Sequence, residues 1–346
     1  MKKKKYIYIK LNYILFLIFI YYFLVNTNKK FRPKISVFLP IYNKADFLVN
    51  CIKSLQNQTL KDIEIVAVND CSNDKSLEIL SNLSIKDRRI KIVNNDKNHG
   101  LLYSRAMGIL NSSGEYLMNL DPDDKINGDD TLEFLYNKAR FYNVDIIAFN
   151  TYHQKLNLFI KCIEQNYIIK QPNLFKSIFS KNNVLKEYLI VNKLIKKEIF
   201  LSAYEEFKYK IYNGKWNYFE DDIWNILVNR FAKSRICINR LVYIYTYNKN
   251  SLMHDSYGFY HFQNLIYRHE MYSRIFNSKN EQKYLIAEYY FLFNRLNSKK
   301  DSLLLLKDKM IIDKIIYIFK LFLKKYDVSK SDIKRINNFL NSINLH

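Results

Sequence analysis

Residues 116–124 read YLMNLDPDD, a short apolar run that ends in three carboxylates within four positions. The apolar part is typical of a buried strand, and the Asp-Pro step after it is typical of a turn. Carboxylates this close repel one another unless a cation or hydrogen-bond donors offset their charge. Hard divalent cations prefer such oxygen ligands and commonly share them with phosphates. The stretch therefore predicts a strand that ends at a site for a divalent metal.

Strands and helices alternate on both sides of this stretch. Strands are predicted at 35–39, 63–68, 90–93, 116–120 and 144–149, and helices at 45–56, 76–83, 101–110 and 131–141. This order is typical of βαβ units, so the sequence predicts an α/β fold with a mainly parallel sheet flanked by helices. Ligands of such sheets bind at the carboxyl ends of the strands. The residues that follow each strand are therefore the candidate site.

Four short motifs follow the first four strands. They are P-x-Y-N at 40–43, N-D at 69–70, N-x-G-x-x-x-x-R at 98–105 and D-x-D-D at 121–124. In this order they resemble the family 2 glycosyltransferases of GT-A fold, over residues 35–149 and more weakly to about 247. One D-x-D is weak evidence, whereas four motifs that each follow a predicted strand are specific. The first turn contains no G-x-G-x-x-G, which argues against a dinucleotide-binding dehydrogenase.

The resemblance implies transfer of a sugar from a nucleotide diphosphate donor with inversion, with Mn²⁺ or Mg²⁺ as cofactor. The metal is implied to lie on Asp123, with Asp121 beside it. Purely structural roles remain as alternatives, because Asp70 could cap a turn and Arg105 could pair with a surface carboxylate. The residues implied to bind the nucleotide-sugar are Pro40, Tyr42, Asn43, Asp70, Arg105 and Asp121.

The second half of the chain holds the implied catalytic base. Glu220-Asp221-Asp222 opens an apolar helix, where acidic residues are also stabilised by the helix dipole. The resemblance implies that Asp221 deprotonates the acceptor hydroxyl, with Asp222 as the alternative register. Lys193 is expected near the donor or at a solvated helix start, and His254 at the metal or in a loop. No Q-x-x-R-W follows, so a processive synthase is not expected.

The amino terminus carries an apolar run, LNYILFLIFIYYFLV at 11–25, with basic residues on both sides. It predicts a transmembrane helix, and a cleaved signal peptide is the rival. The expected protein is single-pass. Its catalytic part would face the Golgi or endoplasmic reticulum lumen in a eukaryote, and it would lie at the cytoplasmic face of the inner membrane in a bacterium. The expected regions are an anchor at 1–30, a donor-binding half at 34–150, an acceptor half at 151–255 and a helical C-terminal region at 256–346.

Charge alone suggests a nucleic-acid partner, since 55 Lys and Arg stand against 33 Asp and Glu in 346 residues. Lys outnumbers Arg 43 to 12, however, and nine of the basic residues fall in residues 1–34. We therefore expect no nucleic acid. The expected partners are the nucleotide-sugar donor, a carbohydrate, lipid or protein acceptor, and the membrane through one span.

Two other functions share parts of this pattern. A sugar-nucleotide nucleotidyltransferase would need a Gly-rich basic loop after the first strand, and residues 40–47 contain no Gly. An inactive binding protein of the same fold would show broken carboxylate motifs, whereas Asp70, Asp121, Asp123 and Asp221 are all present.

Overall fold

The computed structural model describes residues 16, 32–162, 166–181, 187, 189–211, 220–248, 268–270, 272–273, 275–276, 281–298 and 309–344. Within these residues ten strands form one sheet. Its order is β3-β2-β1-β4-β9-β6-β10-β5, with β7 beside β6 and β8 beside β10. The strands are β1 Ile35–Ile41, β2 Ile63–Asn69, β3 Ile90–Asn94, β4 Tyr116–Asn119, β5 Lys125–Ile126, β6 Ile146–His153, β7 Leu158–Ile160, β8 Ile168–Lys170, β9 Lys193–Lys196 and β10 Ser234–Tyr245.

The described helices alternate with the strands in the first half and dominate the end of the chain. They are Ala45–Gln56, Ser76–Lys86, Leu101–Asn111, Thr131–Tyr142, Asn173–Ser177, Lys197–Ile211, Glu220–Phe231, Gln282–Ser298, Lys309–Lys325 and Lys330–Asn344. The expected helical C-terminal region is therefore confirmed. Helix Lys309–Lys325 buries one face, which includes Ile315, Phe319 and Phe322, as an amphipathic helix packed on other elements does.

The first half of the sheet has the predicted parallel order. β1 lies between β2 and β4, β3 pairs with the far edge of β2, and all of these pairs are parallel. β1 is buried along its whole length, as expected for a strand covered by helices on both faces. The carboxyl ends of β1, β2 and β4 consequently lie at one edge, and each is followed by a predicted motif.

The prediction of a mainly parallel sheet is wrong for the second half, where the sheet is mixed. β9 runs antiparallel to both neighbours, β4 and β6, and β5 is antiparallel to β10. β9 has only four residues and a lysine at each end. Because so short and charged a segment has no clear strand pattern, the sequence did not reveal it.

The predicted transmembrane helix also needs correction. In the part of the chain that the structure describes, no helix is long and apolar enough to cross a membrane. Helices Gln282–Ser298 and Lys309–Lys325 have 17 residues each and carry charged side chains, whereas a span takes about 20 mostly apolar residues. The run at 11–25 lies outside the described residues, apart from Phe16. The single-pass membrane location is therefore not supported.

Candidate active site

A buried arginine joins the two halves of the site. Helix Leu101–Asn111 starts after Gly100, whose φ of 91° favours glycine, and Arg105 lies one turn into it with 2% of its side chain exposed. Its Nη1 donates to Asp221 Oδ1 at 2.5 Å and to Glu220 Oε1 at 3.0 Å. Its Nη2 donates to Asp121 Oδ1 at 3.3 Å. The guanidinium thus connects the carboxylate after β4 with the acidic start of helix Glu220–Phe231.

The carboxylates around this guanidinium have perturbed acidities. Burial and, to a smaller extent, the nearby charges of Asp121 and Asp222 raise the pKa of Asp221 to about 6, although the charge of Arg105 opposes them. Burial also raises the pKa of Glu220 to about 8, again against Arg105. The Asp221 side chain keeps 26% of its area exposed, so a ligand can reach it. An accessible carboxylate with a pKa near 6 is deprotonated at neutral pH and can accept a proton.

The acidic turn after β4 is held by side chains from distant parts of the chain. Asp123 Oδ2 accepts from Lys44 Nζ at 2.6 Å and from Asn248 Nδ2 at 2.7 Å. Asp124 accepts from the Tyr243 hydroxyl at 2.6 Å and from the Thr246 backbone N–H at 2.8 Å. Asp124 therefore fastens the turn to β10, whereas Asp123 stays partly exposed.

The residues present fit a divalent cation that arrives with phosphates. In the described ranges no group of three or more His, Cys, Asp or Glu side chains is arranged to hold a metal ion. Mg²⁺ and similar ions, however, are commonly bound by one or two carboxylates together with substrate phosphates. Asp121 and Asp123 supply such oxygens, and both side chains are partly exposed. Their chemistry matches a cation shared with a diphosphate.

Asp70 acts as a clamp on the loop before helix Leu101–Asn111. Its Oδ1 accepts from Asn95 Nδ2 at 2.7 Å and from the His99 backbone N–H at 3.0 Å. Its Oδ2 accepts from the Gly100 backbone N–H at 2.8 Å. Since a carboxylate has about four acceptor positions, these three hydrogen bonds leave one acceptor position on Oδ2, in a residue that is itself buried. The turn-forming and ligand-binding interpretations of Asp70 are therefore compatible.

The turn after β1 is fixed against the loop after β2. Asn43 has a φ of 51°, its backbone N–H donates to Ser72 Oγ at 3.1 Å, and its Oδ1 accepts from the Asn73 N–H at 2.8 Å. Pro40 is the buried sixth residue of β1, and the Tyr42 side chain is exposed. Of the predicted nucleotide-binding residues in this turn, Tyr42 and Asn43 are both exposed and can meet a ligand, while Asn43 also shapes the loop.

Two predicted site residues, Asp222 and Lys193, are not part of this cluster. Asp222 Oδ2 accepts from Arg268 Nε at 2.7 Å and from the Tyr272 hydroxyl at 3.3 Å, in a buried group that Glu288 completes. Lys193 lies in the central strand β9 with no exposed area, and its Nζ is 2.9 Å from Glu187 Oε1. His254 lies outside the described residues.

Three residues of the site were not predicted from the sequence. Glu220 belongs to the predicted acidic helix start, but the sequence does not show that it shares Nη1 of Arg105 with Asp221. Its place beside Asp221 was the available signal. Lys44 directly follows the P-x-Y-N motif, but its partner Asp123 is 79 positions away. Asn248, 125 positions from Asp123, gave no signal at all.

Comparison with known proteins gives a consistent result. The model for glycosyl transferase family 2 matches residues 36–203. Glycosyltransferase GlyA of Streptococcus pneumoniae is 32% identical over 228 residues, which cover 63% of this chain and 31% of that protein. The chain therefore spans about a third of that relative's length.

Solved structures show the same fold at low sequence identity. A crystal structure of S. aureus TarS in complex with UDP-GlcNAc is similar with a TM-score of 0.60 and 17% identity, covering 82% of this chain and 79% of that one. The mannosyltransferase PcManGT from Pyrobaculum calidifontis, in complex with GDP-Man and Mn²⁺, has a TM-score of 0.50 and 12% identity over 91% of this chain and 87% of that one. Together with the parallel strands and the motifs at their ends, these matches identify residues 36–203 of this chain as a glycosyl transferase family 2 domain with the GT-A fold.

Proposed function

We propose that this protein transfers a single sugar from a nucleotide diphosphate donor to a hydroxyl group of an acceptor, with inversion at the anomeric carbon. The observation that carries the proposal is the placement of Asp121 and Asp221 on the same guanidinium, that of Arg105. One carboxylate follows a strand at the edge where GT-A proteins take their donor, and the other is an accessible proton acceptor. Donor and base would then meet in one site.

The donor is proposed to lie across the carboxyl ends of β1, β2 and β4. Tyr42 would contact the nucleotide, and Oδ2 of Asp70 has room for one hydrogen bond from the base. UDP-GlcNAc in TarS and GDP-Man in PcManGT support a nucleotide-sugar in this fold. We favour a UDP-hexose or UDP-N-acetylhexosamine. Lys193 is not included, because a fully buried ammonium cannot contact a donor while its cluster is intact.

Asp221 is proposed as the general base. The acceptor oxygen attacks the anomeric carbon from the face opposite the diphosphate, while its proton passes to a carboxylate oxygen of Asp221. The bond between that carbon and the diphosphate oxygen breaks, and the nucleoside diphosphate leaves with the electron pair. Arg105 keeps the Asp221 carboxylate oriented through Nη1. Asp222 is not included, since Arg268 and Tyr272 hold it on another side of the helix.

A divalent cation, Mn²⁺ or Mg²⁺, is proposed to be held by Asp123 and Asp121 and would neutralise the charge that develops on the leaving diphosphate. The acceptor hydroxyl is proposed to belong to a carbohydrate, a lipid or a protein. Transfer of one sugar per encounter agrees with the missing Q-x-x-R-W segment in the sequence.

The test is a panel of UDP- and GDP-sugars incubated with the full chain, with Mn²⁺ or with a chelator, and with Asp221→Asn as the matched control. We expect Mn²⁺-dependent release of nucleoside diphosphate from one donor by the native protein, and little from the variant. Formation of pyrophosphate from a nucleoside triphosphate and a sugar phosphate would instead show a nucleotidyltransferase. Donor binding by calorimetry with no turnover, across a panel of acceptors, would show an inactive binding protein.

A further inference from the structure

A lysine ammonium pairs with Asp123, one of the carboxylates proposed to hold the cation. Lys44 Nζ lies 2.6 Å from Asp123 Oδ2, and Asn248 Nδ2 donates to the same oxygen at 2.7 Å. The side chains of Lys44 and Asp123 keep 22% and 15% of their areas exposed. The pair is therefore at the surface of the site, where a ligand can separate it.

The backbone at Lys44 is fixed, so only its side chain is free to move. The Lys44 N–H donates to Ser76 Oγ at 2.9 Å, and the next N–H, of Ala45, donates to Asp74 Oδ2 at 2.9 Å. Helix Ala45–Gln56 begins directly after Lys44. The four-carbon stem therefore starts from an anchored point, and its ammonium can exchange partners within a short radius.

Charge accounting shows what the exchange would achieve. Asp121, Asp123 and Lys44 together carry about one negative charge. Binding of a dication alone would give these three side chains and the ion a net positive charge. Binding of a nucleotide-sugar alone, whose diphosphate carries about two negative charges, would give a total of about three negative charges. When the two ligands bind together, their charges cancel and the group keeps its original charge.

We propose that Lys44 occupies Asp123 in the free protein and moves to the donor diphosphate when the donor and its divalent cation bind together. Lys44 is then a positioning residue that makes cation binding depend on donor binding. The inference rests on the proposed function, because it needs a diphosphate donor. Its basis is the Lys44–Asp123 pair and the charge balance around it.

The first arm of the test measures binding of Mn²⁺ alone to the full chain, by electron paramagnetic resonance of the free ion. Lys44→Met should bind Mn²⁺ at least about tenfold more tightly than the native protein, because a competing positive charge is gone. Lys53→Met is the matched control, since Lys53 is an exposed lysine of the helix that begins directly after Lys44, and this variant should behave as the native protein. Asp123→Asn should weaken Mn²⁺ binding both in the native protein and in the Lys44→Met variant.

The second arm repeats the titration with UDP present. UDP should strengthen Mn²⁺ binding to the native protein, and in Lys44→Met this enhancement should shrink at least about tenfold, because the diphosphate loses its ammonium partner. Unchanged Mn²⁺ affinity without UDP, or an unchanged enhancement by UDP, in the Lys44 variant would overturn the inference. If the native protein still turns over nucleotide-sugars in that case, the proposed function stands and only the role of Lys44 falls. If the native protein binds neither UDP nor GDP, with or without Mn²⁺, both fall.

Discussion

Replacing Asp221 by Asn removes a proton acceptor and changes little else. The amide oxygen can still accept from Arg105 Nη1, and Arg105 keeps carboxylate partners in Glu220 and Asp121. The change also removes one of three carboxylates that crowd a buried guanidinium. Because burial raises the pKa of the native Asp221 to about 6, its charged form is disfavoured in the fold. We therefore expect little loss of stability at pH 7.5, with Tm lowered by no more than about 1.5 °C, which corresponds to about 1 kcal/mol for a chain of this size.

The rate should respond very differently. Loss of a general base typically lowers turnover by about 10²–10⁴-fold, or about 3–5 kcal/mol in the barrier. Donor affinity should hold, because Asp121 and Asp123 are intact. In the native protein kcat should rise as the pH increases through about 6, because Asp221 must lose its proton to act. The variant should lack this rise.

Three measurements on one preparation each of the native protein and Asp221→Asn test the role of Asp221. They are initial rates of nucleoside diphosphate release with acceptor present, calorimetry with UDP, and thermal unfolding. Turnover of Asp221→Asn within tenfold of the native rate would refute the assignment of the base. A helix-capping role would show the reverse pattern, a loss of at most about 2 kcal/mol in stability with transfer intact.

Three further changes test the surrounding structure. Asp123→Ala should abolish Mn²⁺-dependent UDP binding, because a cation held by few protein oxygens cannot lose one, and unchanged affinity in calorimetry would contradict the metal assignment. Arg105→Met should lower the free energy of unfolding by about 3–5 kcal/mol at pH 8. The loss should be smaller at pH 6, because Glu220, with its pKa raised to about 8, binds a proton in the folded state as the pH falls; urea unfolding with equal losses at both pH values would contradict this. Gly108→Ala should cost about 1–3 kcal/mol, because its new Cβ would lie 2.7 Å from Cδ2 of the buried Phe38, and an unchanged urea midpoint would contradict the tight packing.

The parallel part of the sheet and the placement of its motifs were predictable from sequence. Each of β1, β2 and β4 is an apolar run followed by polar residues, and runs of this kind alternate with helical patterns. The first strand nevertheless continues through Pro40 to Ile41, beyond its predicted end. Phe38 O accepts from Leu120 N on the β4 side, where pairing with β1 then stops, so the missing N–H of Pro40 removes no ladder bond.

The carboxylates of helix Glu220–Phe231 could not be assigned from sequence alone. Asp221 and Asp222 are both at the helix start, where the helix dipole stabilises acidic residues. A catalytic base at this place would also be an acidic residue, so the sequence does not separate the two roles. Consecutive helical residues, however, point about 100° apart. Asp221 therefore faces Arg105, whereas Asp222 faces Arg268. Which one lies in the site depends on the packing of the helix and not on the motif.

Lys193 shows a different limit. In sequence it begins a basic run, and such runs are usually solvated. In the structure it is the first residue of β9, between β4 and β6, so its side chain has no route to water. The buried ammonium is balanced by Glu187, which in turn binds Arg235. Glu187 and Arg235 lie in different segments of the chain, and no local sequence pattern indicates that they meet Lys193.

The neighbouring positions Asp221 and Asp222 also limit how this protein can be recombined with its relatives. One turn of helix carries the proposed base on one side and Asp222 on the other. Arg268 pairs with Asp222 and also contacts Glu288 in the C-terminal helix Gln282–Ser298. A chimera that joins this catalytic half to a foreign helical end would leave Asp222 buried beside a mismatched partner. Exchange of C-terminal regions should therefore succeed between proteins that keep this acid–base pairing, and fail where the pairing differs, even when the catalytic motifs are identical.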